Sequence, residues 1–126
     1  MEIANLDPSP SDDATILTKA FLRAGDLLGL TQKEQGSLLG LSPASMSRVG
    51  SAKTQIDPSA KEGEIALTFL RLFRSLDALF GGRENDMRTW FEAPNHALNG
   101  IPRQQVLTLQ GLFHAVAYLD AMRGKV

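Results

Sequence analysis

Cysteine is absent from this 126-residue chain. That excludes a disulfide framework and a thiol nucleophile, and it agrees with a reducing, cytoplasmic setting. No apolar run approaches the roughly 18 residues that a membrane span needs. The opening residues carry acids at Glu2 and Asp7, where a signal peptide has basic and apolar regions. An excess of either charge is also missing: 13 Lys and Arg stand against 14 Asp and Glu, for a net charge of −1. Domains that live mainly by binding nucleic acid show a basic excess, because phosphate neutralisation supplies much of their affinity. Any DNA-binding role must therefore rest on a local patch. A cytoplasmic location without membrane contact is the simplest inference.

Catalytic chemistry has little to work with. The two histidines, His96 and His114, have no Cys or acidic companion at metal-ligand spacing. The acids Glu84, Asp86 and Glu92 read as the solvated face of a helix. No nucleophile elbow, phosphate loop or dinucleotide fingerprint occurs. The chain is expected to be a non-enzyme with no metal and no cofactor of its own. Its length and its 43% hydrophobic content allow one good core, or two small helical halves sharing one. There is no internal repeat and no low-complexity run.

What remains is helix signal. Residues 1–11, with Pro8 and Pro10, read as an extended or disordered, flexible arm. Ser11 or Asp12 suits a cap for a first helix, whose stripe Leu17, Ala20, Phe21, Ala24, Leu27 and Leu28 has helical spacing up to Gly29. Thr31 with Glu34 three residues on forms a capping box, and Ser42 before Pro43 forms a second cap. Two short helices joined by the tight turn Gly40-Leu41-Ser42 make a helix-turn-helix pattern. Residues 50–63 read as a polar connector ending in a cap. A long helix follows, with Ile65, Phe69, Leu72, Phe73, Leu76, Leu79 and Phe80 on one stripe that Ala66 and Leu70 widen, so it is expected to serve both halves. Gly81-Gly82 ends it. Arg83 to Phe91 is a shorter helix with Met87, Trp90 and Phe91 inward, and Trp90, the only tryptophan, is the expected anchor against the long helix.

Residues 90–102 are dense in conformational signals. Pro94 ends the helix carrying Trp90, Asn95, Asn99 and Gly100 suit turns, and Pro102 suits the first position of a new helix. That helix is expected from Pro102 to Leu109, with a kink or close crossing at Gly111. A final amphipathic helix then carries Leu112, Phe113, Val116, Leu119 and Met122, and residues 124–126 form a tail.

Two segments resemble known families. Thr31-Gln32-Lys33-Glu34 through Leu38-Leu39-Gly40-Leu41-Ser42 is similar to the Xre-type repressors, with Gly36 where that family prefers Ala. The resemblance implies a recognition helix presenting Ala44, Ser45, Ser47 and Arg48, with Lys53 as a further phosphate contact. Trp90, Phe91, Pro94, Asn95, Ala97, Leu98, Gly100, Leu107 and Gly111 resemble the toxin-binding domain of the Xre/MbcA/ParS-like antitoxins, with Arg103 where an apolar or small residue is usual. The expected fold is therefore all-α: an N-terminal helix-turn-helix bundle (12–63), then a helical toxin-binding domain (64–126), joined by a long shared helix.

The resemblance implies the antitoxin of a two-component module, binding and inhibiting a RES-type toxin that uses NAD and also repressing its own operon. A homodimer or a toxin–antitoxin hetero-oligomer is expected, with operator DNA as a second partner. The implied toxin contacts are Pro94, Asn95, Leu98, Asn99 and Gly100. Arg123, Lys125 and Val126 form a tail expected to plug the toxin's NAD site. The alternative is a helix-turn-helix repressor whose C-terminal domain only dimerises.

Overall fold

A computed structural model describes residues 10–124 as seven α-helices, with no strand among them. The arm expected over 1–11 lies outside the described residues up to position 9. Helix α1 (Pro10–Leu27) starts ahead of Ser11 and Asp12, so neither is its cap; Asp12 and Asp13 instead sit in its positive first turn. Leu17, Phe21, Ala24 and Leu28 are buried, and Gly29 turns the chain at a φ of 84°.

Helices α2 (Gln32–Leu39) and α3 (Pro43–Gly50) form as their caps dictate. Thr31 Oγ1 accepts the Glu34 N–H at 3.1 Å while Glu34 Oε1 accepts the Thr31 N–H at 2.9 Å. Ser42 Oγ accepts the Ser45 N–H at 3.1 Å. Gly36 faces Met46 so closely that an added Cβ would lie 3.1 Å from the Met46 Cβ. The glycine lets α2 and α3 approach at a place where alanine would need the methionine to yield.

The segment after α3 is more than a polar connector. Ile56 is fully buried, and its N–H donates to Thr18 Oγ1 at 2.8 Å. This staples the segment to α1. Helix α4 (Lys61–Phe80) then begins without the expected side-chain cap, because Ala60 occupies the N-cap. Its buried residues include Ile65, Ala66, Phe69, Leu72 and Leu76. It packs on α1 and α2 with one part of its surface and on α5 and α7 with another, so one continuous core serves both halves. Phe21 and Phe69 meet edge to face, with ring centroids 5.5 Å apart.

Helix α5 (Glu84–Glu92) buries Met87 and Phe91, one turn apart on the same stripe. Trp90 flanks that stripe, partly buried and packed against the core, while the fully enclosed aromatic of α5 is Phe91. The helix expected over Pro102 to Leu109 is also shorter. Helix α6 (Pro102–Gln105) stops after one turn, and α7 (Leu109–Arg123) restarts with Thr108 as its cap. Thr108 Oγ1 accepts the Gly111 N–H at 3.1 Å. A Cβ on Gly111 would lie 1.9 Å from the Gln105 carbonyl oxygen, which makes this glycine the site of a close backbone approach. Phe113 and Met122, expected inward on α7, are 50% and 47% exposed; Leu112, Ala115, Val116 and Leu119 form the buried face. No described helix is long and apolar enough to cross a membrane.

Candidate binding surfaces

The helix-turn-helix residues lie together. Ser45, half-buried at the start of α3, is bracketed by neighbours: its Oγ accepts from Ser42 Oγ at 3.1 Å and from Arg48 Nη2 at 3.3 Å. Ser47 and Arg48 are exposed. Ala52, at a φ of 65°, folds the chain back so that the Lys53 N–H donates to the Arg48 carbonyl at 2.9 Å. The backbone turn thus holds two exposed basic residues at the C-terminal end of α3, where cations also complement the helix dipole.

The second cluster is the loop between α5 and α6. Asn95 and Gly100 pair in antiparallel fashion, with N···O distances of 2.8 and 3.2 Å. Inside the loop, Asn95 Oδ1 accepts the Leu98 N–H at 3.0 Å, and Asn99 adopts a φ of 57°, a conformation asparagine tolerates. Gln105 Nε2 donates to the Leu98 carbonyl at 2.8 Å and ties the loop to α6. A Cβ on Gly100 would strike that same nitrogen at 2.6 Å. Pro94, His96, Ala97 and Asn99 are exposed, and a shallow hollow runs along Pro94, Asn95, His96, Asn99 and Gly100. Leu98, named as a contact residue, is only 3% exposed. It pegs the loop to the core while its neighbours form the surface.

Of the C-terminal residues, Arg123 does not join this loop. Arg123 ends α7 and donates from Nη1 to the hydroxyl of buried Ser75 at 3.1 Å, so it is seated on α4 and is no part of a loose tail. Lys125 and Val126 lie outside the described residues. The loop borders the start of α7, and Arg123 stands at the far end of that 15-residue helix, about 22 Å along its axis.

Arg103 went unrecognised in the sequence as a structural residue, although its basic side chain was the one departure from the family pattern. It reaches across the molecule to the helix-turn-helix half. Its Nε and Nη2 grip Glu34 Oε2 and Oε1 at 3.0 and 2.7 Å, its Nη1 donates to Glu92 Oε2 at 2.8 Å, and Nη2 also donates to the Gly29 carbonyl at 2.6 Å. This fork pulls the Glu34 pKa down to about 2, chiefly through the Arg103 hydrogen bonds, with the Thr31 N–H adding to the effect; the Arg103 pKa is raised in turn. Arg88 assists by donating from Nη2 to the Leu27 carbonyl at 2.8 Å. Helix α1 has no basic residue in its own last turn, so Arg88 of the other half satisfies its last carbonyls while Arg103 holds the Gly29 carbonyl just beyond it. Glu92 is thus an ion-pair partner as well as a surface acid.

No group of His, Cys, Asp and Glu able to hold a metal occurs among the described residues. His96 and His114 are both exposed.

Comparison with curated proteins yields no significant match. Two family models do match, and they meet inside α4. Residues 7–71 match the antitoxin Xre-like helix-turn-helix domain, and residues 75–125 match the antitoxin Xre/MbcA/ParS C-terminal toxin-binding domain. With both domains present in that order, the chain belongs to the Xre-like antitoxin family of toxin–antitoxin systems.

Proposed function

We propose that this antitoxin silences a RES-type toxin that uses NAD by binding it directly, and that it represses its own operon through α3. The observation that carries the first role is the pre-shaped loop at 94–100, braced by Asn95, Leu98 and Gln105, within the segment matched to the toxin-binding domain. A loop already held in one conformation loses little further entropy on binding, which favours tight association.

For DNA, the exposed cations Arg48 and Lys53 suit phosphate contacts, and Ser47 with Ser45 suits base edges. With a net charge of −1, a monomer has little to offer a duplex. The DNA-binding species is therefore a dimer or a toxin-bound assembly that joins two copies of this face.

The test is co-expression with the product of the adjacent open reading frame. Co-purification, together with loss of that protein's NAD consumption at equal concentration, is expected. A protein that shifts its promoter DNA but neither binds nor inhibits that product would be a repressor whose C-terminal half only dimerises.

A further inference from the structure

Between Ala93 and Leu119 the only formally charged side chain is Arg103. In a chain that is 21% charged, a 27-residue stretch would ordinarily hold about six charges. Arg103 is turned inward to Glu34, Glu92 and Gly29, so this stretch presents almost no charge to solvent. Burial does not account for that, since much of the stretch is at the surface. On α7, Leu109 is 46% and Phe113 50% exposed, and Ala117 continues their line at the next turn. The helix thus carries apolar residues outward as well as inward: Leu112, Val116 and Leu119 face the core, while Leu109, Phe113 and Ala117 face out beside the uncharged Gln110 and His114. A soluble helix normally turns polar residues outward.

Depletion of Lys, Glu and Asp around exposed aromatic and aliphatic side chains is the composition of the centre of a protein–protein interface. We infer that the outer face of α7, anchored by Phe113, continues the 94–100 loop as a single uncharged docking surface for the toxin. This rests on the antitoxin reading above. Two observations name the toxin as occupant. The whole face lies within the segment matched to the toxin-binding domain. It also adjoins the loop physically, because Gln105 holds the Leu98 carbonyl and lines a hollow with Gln110, Gly111 and His114 of α7. A surface of this kind gains its affinity from apolar burial and hydrogen bonds, so the complex should be nearly indifferent to salt, in contrast to the phosphate contacts of Arg48 and Lys53.

The experiment measures Kd for the full-length antitoxin and the adjacent gene's product by calorimetry, at 50 and 300 mM salt. The variants are Phe113→Ala, Phe113→Glu and, as a control, Ile16→Glu; Ile16 is 68% exposed and lines a hollow between α1 and α4 with Ala20, Leu67 and Leu70. The wild-type Kd should change less than about threefold with salt. Phe113→Glu should weaken binding by about 100-fold and Phe113→Ala by about 10-fold, with unchanged melting temperatures because the side chain is exposed. Ile16→Glu should leave the toxin affinity unchanged. Full affinity in Phe113→Glu overturns the inference and leaves the antitoxin reading standing. A fall in self-association mass with toxin affinity intact also overturns it, and gives the face to a second copy. Failure of the wild type to bind at all overturns the antitoxin reading itself.

Discussion

The α2–α3 face and the 94–100 loop are both small polar surfaces, but they are held in opposite ways. Nearly everything that shapes α2 and α3 is local: Thr31 with Glu34, Ser42 with Ser45, Arg48 with Lys53. The loop has its own Asn95–Gly100 pair, but its setting depends on distant residues. Arg103, just beyond it, is fixed by Glu34, 69 positions earlier in the chain. The comparison teaches that the helix-turn-helix half forms from its own sequence signals, whereas the orientation of the toxin-binding half is set by contacts that exist only once both halves have folded. The acid that helps cap α2 is also the acid that grips Arg103, so the two halves share one residue.

The largest effect should come from the core beneath the loop. Phe91→Ala removes a fully buried aromatic and is expected to cost about 3–5 kcal/mol. Trp90→Ala, at a half-buried position, should cost about 1–2 kcal/mol. Denaturant unfolding of both variants checks the order. Equal losses would make Trp90 an anchor of the same weight as Phe91.

Next comes the link between the halves. Arg103→Ala leaves Glu34 and the Gly29 carbonyl without their main donor, an expected cost of about 2–3 kcal/mol. Arg103→Lys should recover less than half of this, since an ammonium lacks the planar fork that meets both Glu34 oxygens. A double-mutant cycle should give a larger coupling with Glu34 than with Glu92, whose side chain is 42% exposed. If Arg103→Ala melts like the wild type, the halves are joined by the apolar core alone.

Acid tests the same pair without mutation. Glu34 titrates near its ordinary 4.5 in the unfolded chain and at about 2 in the folded one. Its contribution is fully present above pH 4.5 and is lost as the pH falls toward 2. The full shift would correspond to about 3 kcal/mol. Solvent screening of a pair that is about a quarter exposed lowers this to about 2 kcal/mol. Stability measured between pH 5 and 2 should fall more steeply in the wild type than in Glu34→Gln. Parallel curves would place the acid sensitivity elsewhere.

Which parts of this were legible in the sequence follows from the same distinction. The capping box, the Ser42-Pro43 start and the Gly81-Gly82 stop involve neighbours within a turn, and their residue types have one local meaning each. The long shared helix was legible because its apolar stripe is too wide for one partner. Periodicity carried the helix after Pro102 too far, to Leu109, where the Thr108 cap already starts α7; the close approach expected at Gly111 is there. Periodicity failed again at Phe113, whose hydrophobicity pointed inward although the helix presents it to solvent. Ile56 was hidden in a polar context, and only the folded packing, with its N–H held by Thr18, shows it as core. Arg103 left one trace, its departure from the family pattern, which marks a position without naming its partner.

The smallest effect sharpens the comparison at the helix that both halves share. Helices α2 and α3 begin with a side chain bonded to the backbone, but α4 begins at Ala60, whose φ of −92° and ψ of 172° already suit an N-cap. Its first turn holds Glu62 and Glu64, which offset the dipole but close no hydrogen bond to the cap. The Gly63 N–H now makes only a tight bond to the Ala60 carbonyl at 3.0 Å. Ala60→Ser would offer it a hydroxyl oxygen in the geometry that Thr31 and Ser42 already use. A gain of about 0.5–1 kcal/mol is expected, raising the melting temperature by about 2–4 °C. Thr31→Ala should lose about the same amount from a helix serving one half only. If Ala60→Ser gives no gain, the staple of Ile56 to Thr18 and the packing of Gly63 under Asp57 already fix the start of α4. In that case the helix common to both halves is positioned, like the loop, by contacts distant in sequence and not by its own first turn.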